Sequence, residues 1–234
     1  MKKKIILFVF TFTLCAIGIA LASSVGPSIS PDEALQSLLA GNKRYVESKM
    51  TNVATCNAAS RAALANSQKP YAVILTCSDS RVPPEIIFDK GLGEIFVIRV
   101  AGNVPDPVVL GSIEYAVEHL SSPLIMVLGH ERCGAVKATV EAGGKSTGSK
   151  NIDAIVRAIA PSVKTAAHTC KGKANCAEAT NNDFLERVSD DNARYVAANL
   201  TKQSAILKHL VHDKKIKIVA AKYDLDDGSV TLFK

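Results

Sequence analysis

From Gln68 onward the chain alternates short apolar runs with longer amphipathic stretches. Tyr71–Thr76, Glu94–Val100 and Leu124–Leu128 are short and largely apolar, and read as buried strands. Between and after them, Val108–Leu120 and a stretch from Cys133 to about Glu141 space their apolar residues as helices do, while Val82-Pro83-Pro84-Glu85 restarts a short helix. The alternation predicts an α/β fold, a mainly parallel central sheet flanked by helices. Lys215–Tyr223 and Ser229–Phe233 then read as two strands joined by Asp224-Leu225-Asp226-Asp227-Gly228. The Asp-Gly pair is a hairpin signal, so the last strand is expected to be an antiparallel edge.

Before the sheet, Ser30-Pro31-Asp32-Glu33 carries four agreeing helix-start signals: a cap, a proline at the first helical position, an acid for the dipole and a capping-box glutamate. The helix is expected to run to about Ser48 with Leu35, Leu38 and Leu39 on one stripe, and a second to cover Cys56–Ser67. These form an N-terminal helical arm that packs either on its own core or on a partner subunit. Ile152–Val211 reads as helical, broken by a loop from Cys170 to Asn182, with Val196, Leu200, Ile206, Leu207 and Leu210 as a core stripe. Ahead of all this, Lys2-Lys3-Lys4 precedes an uncharged stretch from Ile5 to Ala22 ending in Ala20-Leu21-Ala22, the pattern of a secretory signal peptide. An uncleaved membrane anchor is the competing reading. The expected organisation is a signal peptide at 1–22, export to the periplasm, and one domain at 23–234. Within it lie an arm at 23–68, a chemistry-bearing core at 69–142, a helical region at 143–214 with a loop at 170–182, and terminal strands at 215–234.

Composition narrows the function. Without the three leader lysines the formal charge falls from +6 to +3, and the chain has no Trp, seven Phe and five Tyr. Neither a basic stripe nor stacking aromatics are there for nucleic acid. About 210 residues suffice for one domain with a substantial core. Of the cysteines beyond the leader, Cys170 and Cys176 close a short polar loop and suit a structural disulfide in an exported protein, while Cys56 is left over. His119, His168, His209 and His212 have no companion ligands and read as surface or satisfied residues.

The chemistry gathers in Thr76-Cys77-Ser78-Asp79-Ser80-Arg81 and Gly129-His130-Glu131-Arg132-Cys133-Gly134, each following an apolar strand. Parallel α/β sheets keep their sites at such strand ends. Two sulfurs and an imidazole from Cys77, His130 and Cys133 suit one Zn2+ and leave a fourth position open. A disulfide between Cys77 and Cys133, with no metal, is the alternative. Asp79 is near enough in sequence to accept a proton or hydrogen bond from a bound water, or to ligate the metal as a fourth ligand in a closed state. Arg81 is spaced to hold it in a bidentate pair. Ala101-Gly102-Asn103-Val104-Pro105 is a small-residue loop that lets a neighbour approach the backbone.

Cys77-x-Asp79-x-Arg81 and His130-x-x-Cys133 resemble the motifs of the β-class carbonic anhydrases, over most of the chain beyond the leader. The resemblance implies zinc held by Cys77, His130 and Cys133, with Asp79 and Arg81 as the catalytic dyad. The implied reaction is reversible hydration of carbon dioxide to bicarbonate and a proton, with zinc hydroxide as the nucleophile oriented by Asp79. It also implies about four parallel strands plus an antiparallel edge, a homodimer or homotetramer, and a substrate pocket formed by Gln68, Phe96, Ala101, Gly102 and Tyr115. Phe96 and Tyr115 would be walls shared across a dimer interface. Ala101 stands where plant-like members carry Val, which implies a roomier pocket. Two rival functions accompany this one: a hydrolase of carbonyl sulfide or carbon disulfide on the same scaffold, and a non-catalytic zinc or thiol protein. The Asp79 and Arg81 pair argues against the last.

Overall fold

The computed structural model describes residues 29–169 and 182–234. The expected signal peptide and the expected Cys170–Cys176 disulfide lie outside the described residues. Helix α1 (Pro31–Val46) forms as its signals dictate: Ser30 Oγ accepts the Glu33 amide, and the Glu33 carboxylate accepts the Ser30 amide. Helix α2 spans only Ala58–Leu64, shorter than the pattern suggested. Asn57 starts it late by capping Ala59 and Ser60, and the helix buries no residue that would extend it.

Strand β1 (Ala72–Thr76), the short helix α3 (Pro84–Ile87), strand β2 (Ile95–Arg99) and helix α4 (Pro107–His119) lead to strand β3 (Leu124–His130). Helices α5 (Gly134–Ala142), α6 (Lys150–Thr169), α7 (Asn182–Gln203) and α8 (Ala205–His212) follow, then strands β4 (Lys217–Tyr223) and β5 (Val230–Leu232). The five strands lie in the order β2-β1-β3-β4-β5, with β1 to β4 parallel and β5 antiparallel at the edge. Strand β3 runs two residues past Leu128 because β4 keeps pairing with it, up to His130 opposite Tyr223. His130 therefore sits on a strand rather than in the loop.

The central strands β1 and β3 are buried on both faces because successive side chains alternate between two helical layers. Ala72, Ile74, Leu124, Met126 and Leu128 pack with Leu35 and Leu38 of α1 and with Phe88. Val73, Leu75, Ile125 and Val127 pack on the other side with Ile113 and Val117 of α4 and Val196, Leu200 and Leu207 of α7 and α8. Each large side chain so buried contributes on the order of 2 kcal/mol. A third cluster joins Cys77 and Cys133 to Val136, Ile159 and Val188 at one end of the sheet. His119, His168, His209 and His212 are all exposed, as expected.

The arm's apolar stripe is buried in the chain's own core. Gly41 permits this, since a Cβ there would fall 1.8 Å from the Phe88 carbonyl oxygen. Asn42 ties α1 to two distant segments, donating to the Ile87 and Gly228 carbonyls and accepting the Val230 amide. Asp89 is the second anchor. It is fully buried with φ +45°, and its carboxylate accepts Arg44 Nε at 2.6 Å and the amides of Thr51, Asn52 and Val53. Burial alone raises its pKa, but Arg44 and the three amides outweigh burial and hold it at about 2.

Asp89→Asn, which leaves Arg44 without its anion, is expected to cost on the order of 3 kcal/mol at neutral pH. A depressed folded-state pKa gives stability that is full above the unfolded value near 3.8 and is lost as pH falls through about 2. Denaturant unfolding of both proteins should therefore show a gap that is constant above about pH 5 and narrows below about pH 4. A gap that narrows at neutral pH would contradict this account.

Candidate metal centre

Strands β1 and β3 are parallel neighbours with Thr76 opposite Leu128, and the Thr76 hydroxyl donates to the Leu128 carbonyl at 2.8 Å. Their carboxyl ends therefore stop side by side. Cys77 follows β1, His130 ends β3, and Cys133 immediately precedes α5. The two sulfurs and one imidazole nitrogen all lie within 4.8 Å of one another, and all three residues are at least 95% buried. Both cysteines are free thiols, so the disulfide reading of this pair is overturned.

The ligand set fits a metal on the evidence of the histidine. Its Nδ1 lies 2.8 Å from the Glu131 carbonyl oxygen, which can only accept, so Nδ1 carries the proton. Nε2 is left with a bare lone pair, buried and without a hydrogen-bond partner. An orphaned buried acceptor costs about 1–3 kcal/mol, and a ring fixed by its other nitrogen is the usual arrangement of a metal-bound imidazole. The thiols divide one charge between them. The Cys133 thiol donates to Cys77, which with the amides of Gly102 and Asp79 pulls Cys77 down to about 4 against the effect of burial. The same hydrogen bond, with burial, pushes Cys133 well up.

Asp79 sits beside this cluster, its Oδ2 4.0 Å from His130 Nε2. Arg81 holds it with Nε on Oδ1 at 2.9 Å and a terminal nitrogen on Oδ2 at 2.8 Å, and the Arg81 amide adds a third bond at 3.0 Å. Chiefly through the Arg81 side chain, Asp79 is kept far below the usual carboxylate range. Arg99, at the end of β2, was not legible as a site residue. It donates to the Cys77 carbonyl at 3.1 Å and to the Asp79 carbonyl at 2.5 Å, fixing the loop that carries both. A lone charge ending an apolar strand was its one sequence signal.

Gly102 has φ +71°, donates its amide to Cys77 Sγ at 3.3 Å, and would drive a Cβ to 2.7 Å from Ile159. The approach expected of the small-residue loop is thus to a sulfur ligand, and Ala101 opens the same turn. Gln68 and Tyr115 lie elsewhere. They line a surface cavity of about 610 Å³ with Leu64, His119 and Leu120, whose lining includes none of Cys77, His130 and Cys133. Phe96 stands 6.4 Å from Tyr115, ring to ring, and Tyr115 is 47% exposed.

Comparison with known proteins agrees with this geometry. The family model described as carbonic anhydrase matches residues 72–230. Carbonic anhydrase 2 of Mycobacterium tuberculosis (strain CDC 1551 / Oshkosh) is 41% identical over 211 residues, 88% of this chain and 94% of that protein. Among solved structures, a Coccomyxa β-carbonic anhydrase in complex with acetazolamide superposes with a TM-score of 0.67 at 24% identity, covering 85% of this chain and 86% of the other. One of two tetrameric β-carbonic anhydrases from Sordaria macrospora superposes with a TM-score of 0.64 at 21% identity, covering 86% and 97%. With its matched core spanning both metal-site motifs and its sheet carrying the β-class fold, the chain belongs to the carbonic anhydrase family.

Proposed function

We propose that the chain catalyses the reversible hydration of carbon dioxide to bicarbonate and a proton, with Cys77, His130 and Cys133 holding one Zn2+ and Asp79 and Arg81 acting as the dyad. The observation that carries the reading is the buried, unpartnered His130 Nε2 facing two thiols beside an arginine-held carboxylate. Zinc supplies Lewis acidity, lowering the pKa of a bound water so that hydroxide is available near neutral pH. The protein supplies orientation. Asp79, ionised at neutral pH, can only accept hydrogen bonds, so it turns the proton of a nucleophilic O–H toward itself and the oxygen lone pair toward substrate. By occupying Asp79 on both oxygens, Arg81 favours this accepting role over ligation of the metal by the carboxylate.

In the same reading, Gln68, Phe96 and Tyr115 complete the substrate cleft across an interface between two copies, in a homodimer or homotetramer. Gln68 and Tyr115 are exposed and Phe96 is only half-buried in the single chain, which supports this, as does Val108 at 76% exposed on α4 with Tyr115. The basic, apolar, small-residue pattern of residues 1–22 supports export to the periplasm.

Stopped-flow hydration of carbon dioxide on metal-quantified protein tests the assignment. One zinc per chain is expected, with Cys77→Ser losing the metal and Asp79→Asn keeping it while kcat falls about 10²–10⁴-fold. Because Arg81 keeps Asp79 ionised, the ratio of wild-type to Asp79→Asn rates should stay flat from about pH 6 to 9. Zinc-loaded protein that hydrates nothing across that range sinks the reading. The interface is checked separately by Tyr115→Arg, expected to dissociate the assembly in light scattering and lower activity while zinc content stays at one per chain. A variant that remains assembled and active contradicts the shared cleft.

A further inference from the structure

Between His130, which ends β3, and Gly134, which begins α5, only Glu131, Arg132 and Cys133 are available to turn the chain back so that Cys133 faces the same point as His130. The turn is made by Arg132 with φ +51°, a left-handed conformation that a residue with a side chain adopts reluctantly. Something must hold it. The Arg132 amide donates to Glu186 Oε1 at 2.7 Å, across 54 residues from α7. The other Glu186 oxygen meets Lys222 Nζ at 3.1 Å, and Lys222 also reaches Glu131 at 3.4 Å and Asp190 at 3.6 Å. Lys222 lies on β4 opposite Gly129, at the foot of the same loop, and is only 21% exposed. The loop is thus gripped from both sides, through the Glu131 carboxylate and through the Arg132 amide, by one lysine and one glutamate that touch none of the metal ligands' donor atoms.

We propose that Glu186 is a positioning residue for the metal centre, fixing the left-handed turn at Arg132 that brings Cys133 to Cys77 and His130, and that Lys222 locks Glu186 in place. The inference rests on the zinc reading above. A charge-assisted bond to a backbone amide, itself pinned by a partly buried cation, is stiffer than the exposed pair of Arg132 with Asp226 at 2.8 Å, which is screened by solvent. Surrounding partners of this kind set ligand geometry, and their loss characteristically weakens metal binding by about 10–100-fold.

The test measures zinc affinity by chelator competition and records the visible absorption of the Co2+-substituted protein, with no use of catalysis. Glu186→Ala is expected to weaken zinc about 10–100-fold and to alter the cobalt bands. Glu186→Gln, which keeps an oxygen for the Arg132 amide, should recover most of the affinity. Adding Arg132→Gly to Glu186→Ala should restore part of it, because glycine takes positive φ unaided. A role confined to stability would lower the melting temperature and leave the cobalt spectrum unchanged, and that result overturns the proposal. So does an affinity for Glu186→Ala within about twofold of wild type, well inside the loss such partners cause. Should that variant fail to fold, Lys222→Met carries the same test: a several-fold weaker affinity is expected, and unchanged affinity and spectrum overturn the proposal. A wild-type chain that binds no zinc removes the zinc reading and this inference together, whereas zinc-loaded wild type with an unaffected Glu186→Ala removes this inference alone.

Discussion

Everything at the site depends on the parallel pairing of β1 with β3. Parallel neighbours end at the same edge of a sheet, so a residue just beyond one and a residue at the end of the other meet without any loop having to search for the contact. The pairing is held in register by five opposed residues and by the Thr76 hydroxyl on the Leu128 carbonyl. A one-residue slip of β1 would turn Ile74 toward α4 and Leu75 toward α1, and would point Cys77 away from His130. The two packed faces that forbid the slip are what make the donor cluster possible.

A buried thiolate beside a buried imidazole needs compensation, and the chain provides it in fixed dipoles and in cations kept at one remove. The amides of Gly102 and Asp79 favour the Cys77 thiolate, and those of Ala135 and Val136, at the start of α5, favour the anion at Cys133. Arg81, Arg99 and Arg132 surround the cluster, each committed elsewhere: Arg81 to the Asp79 carboxylate, Arg99 to two backbone carbonyls, Arg132 to Asp226. None donates to a sulfur. The sulfurs are therefore stabilised by groups that cannot leave, and the positive charge nearest the open side is neutralised by Asp79, whose own ionisation Arg81 secures.

The strands, the helix starts and the donor set were legible because each has a local signature. Apolar runs of strand length mark the sheet, Ser30 to Glu33 marks α1, and the spacing from His130 to Cys133 marks the ligands. What escaped was non-local. Asp89, Arg99 and Glu186 act through backbone groups 20 or more residues away, and a bond from a side chain to a distant carbonyl or amide leaves no periodicity or spacing to read. Helix α2 was overextended because an alanine-rich segment satisfies helical spacing without having a face to bury. The apolar run stops at Leu128, so the two residues that carry β3 on to His130 show only in its pairing with β4. The choice between metal ligands and a disulfide at Cys77 and Cys133 needed geometry, since both chemistries use the same residue types.

The three apolar clusters would also divide the consequences of binding a metal. Those on the two sheet faces contain none of the ligands, so the scaffold that brings β1 beside β3 is complete without the metal. The third contains Cys77 and Cys133 together with residues of α5, α6 and α7. The unpartnered His130 Nε2, the left-handed turn at Arg132 and the closely packed Gly102 all border this cluster. A left-handed backbone at a non-glycine residue such as Arg132 persists only where surrounding contacts over-determine it. Here the sheet supplies half of those contacts through the fixed ends of β1 and β3, and α7 supplies the other half through Glu186 on Arg132 and Asn192 on the Gly102 carbonyl. The candidate metal centre is thus a joint between a rigid sheet and one helix, and its geometry is set as much by where α7 lies as by the residues that would hold the ion.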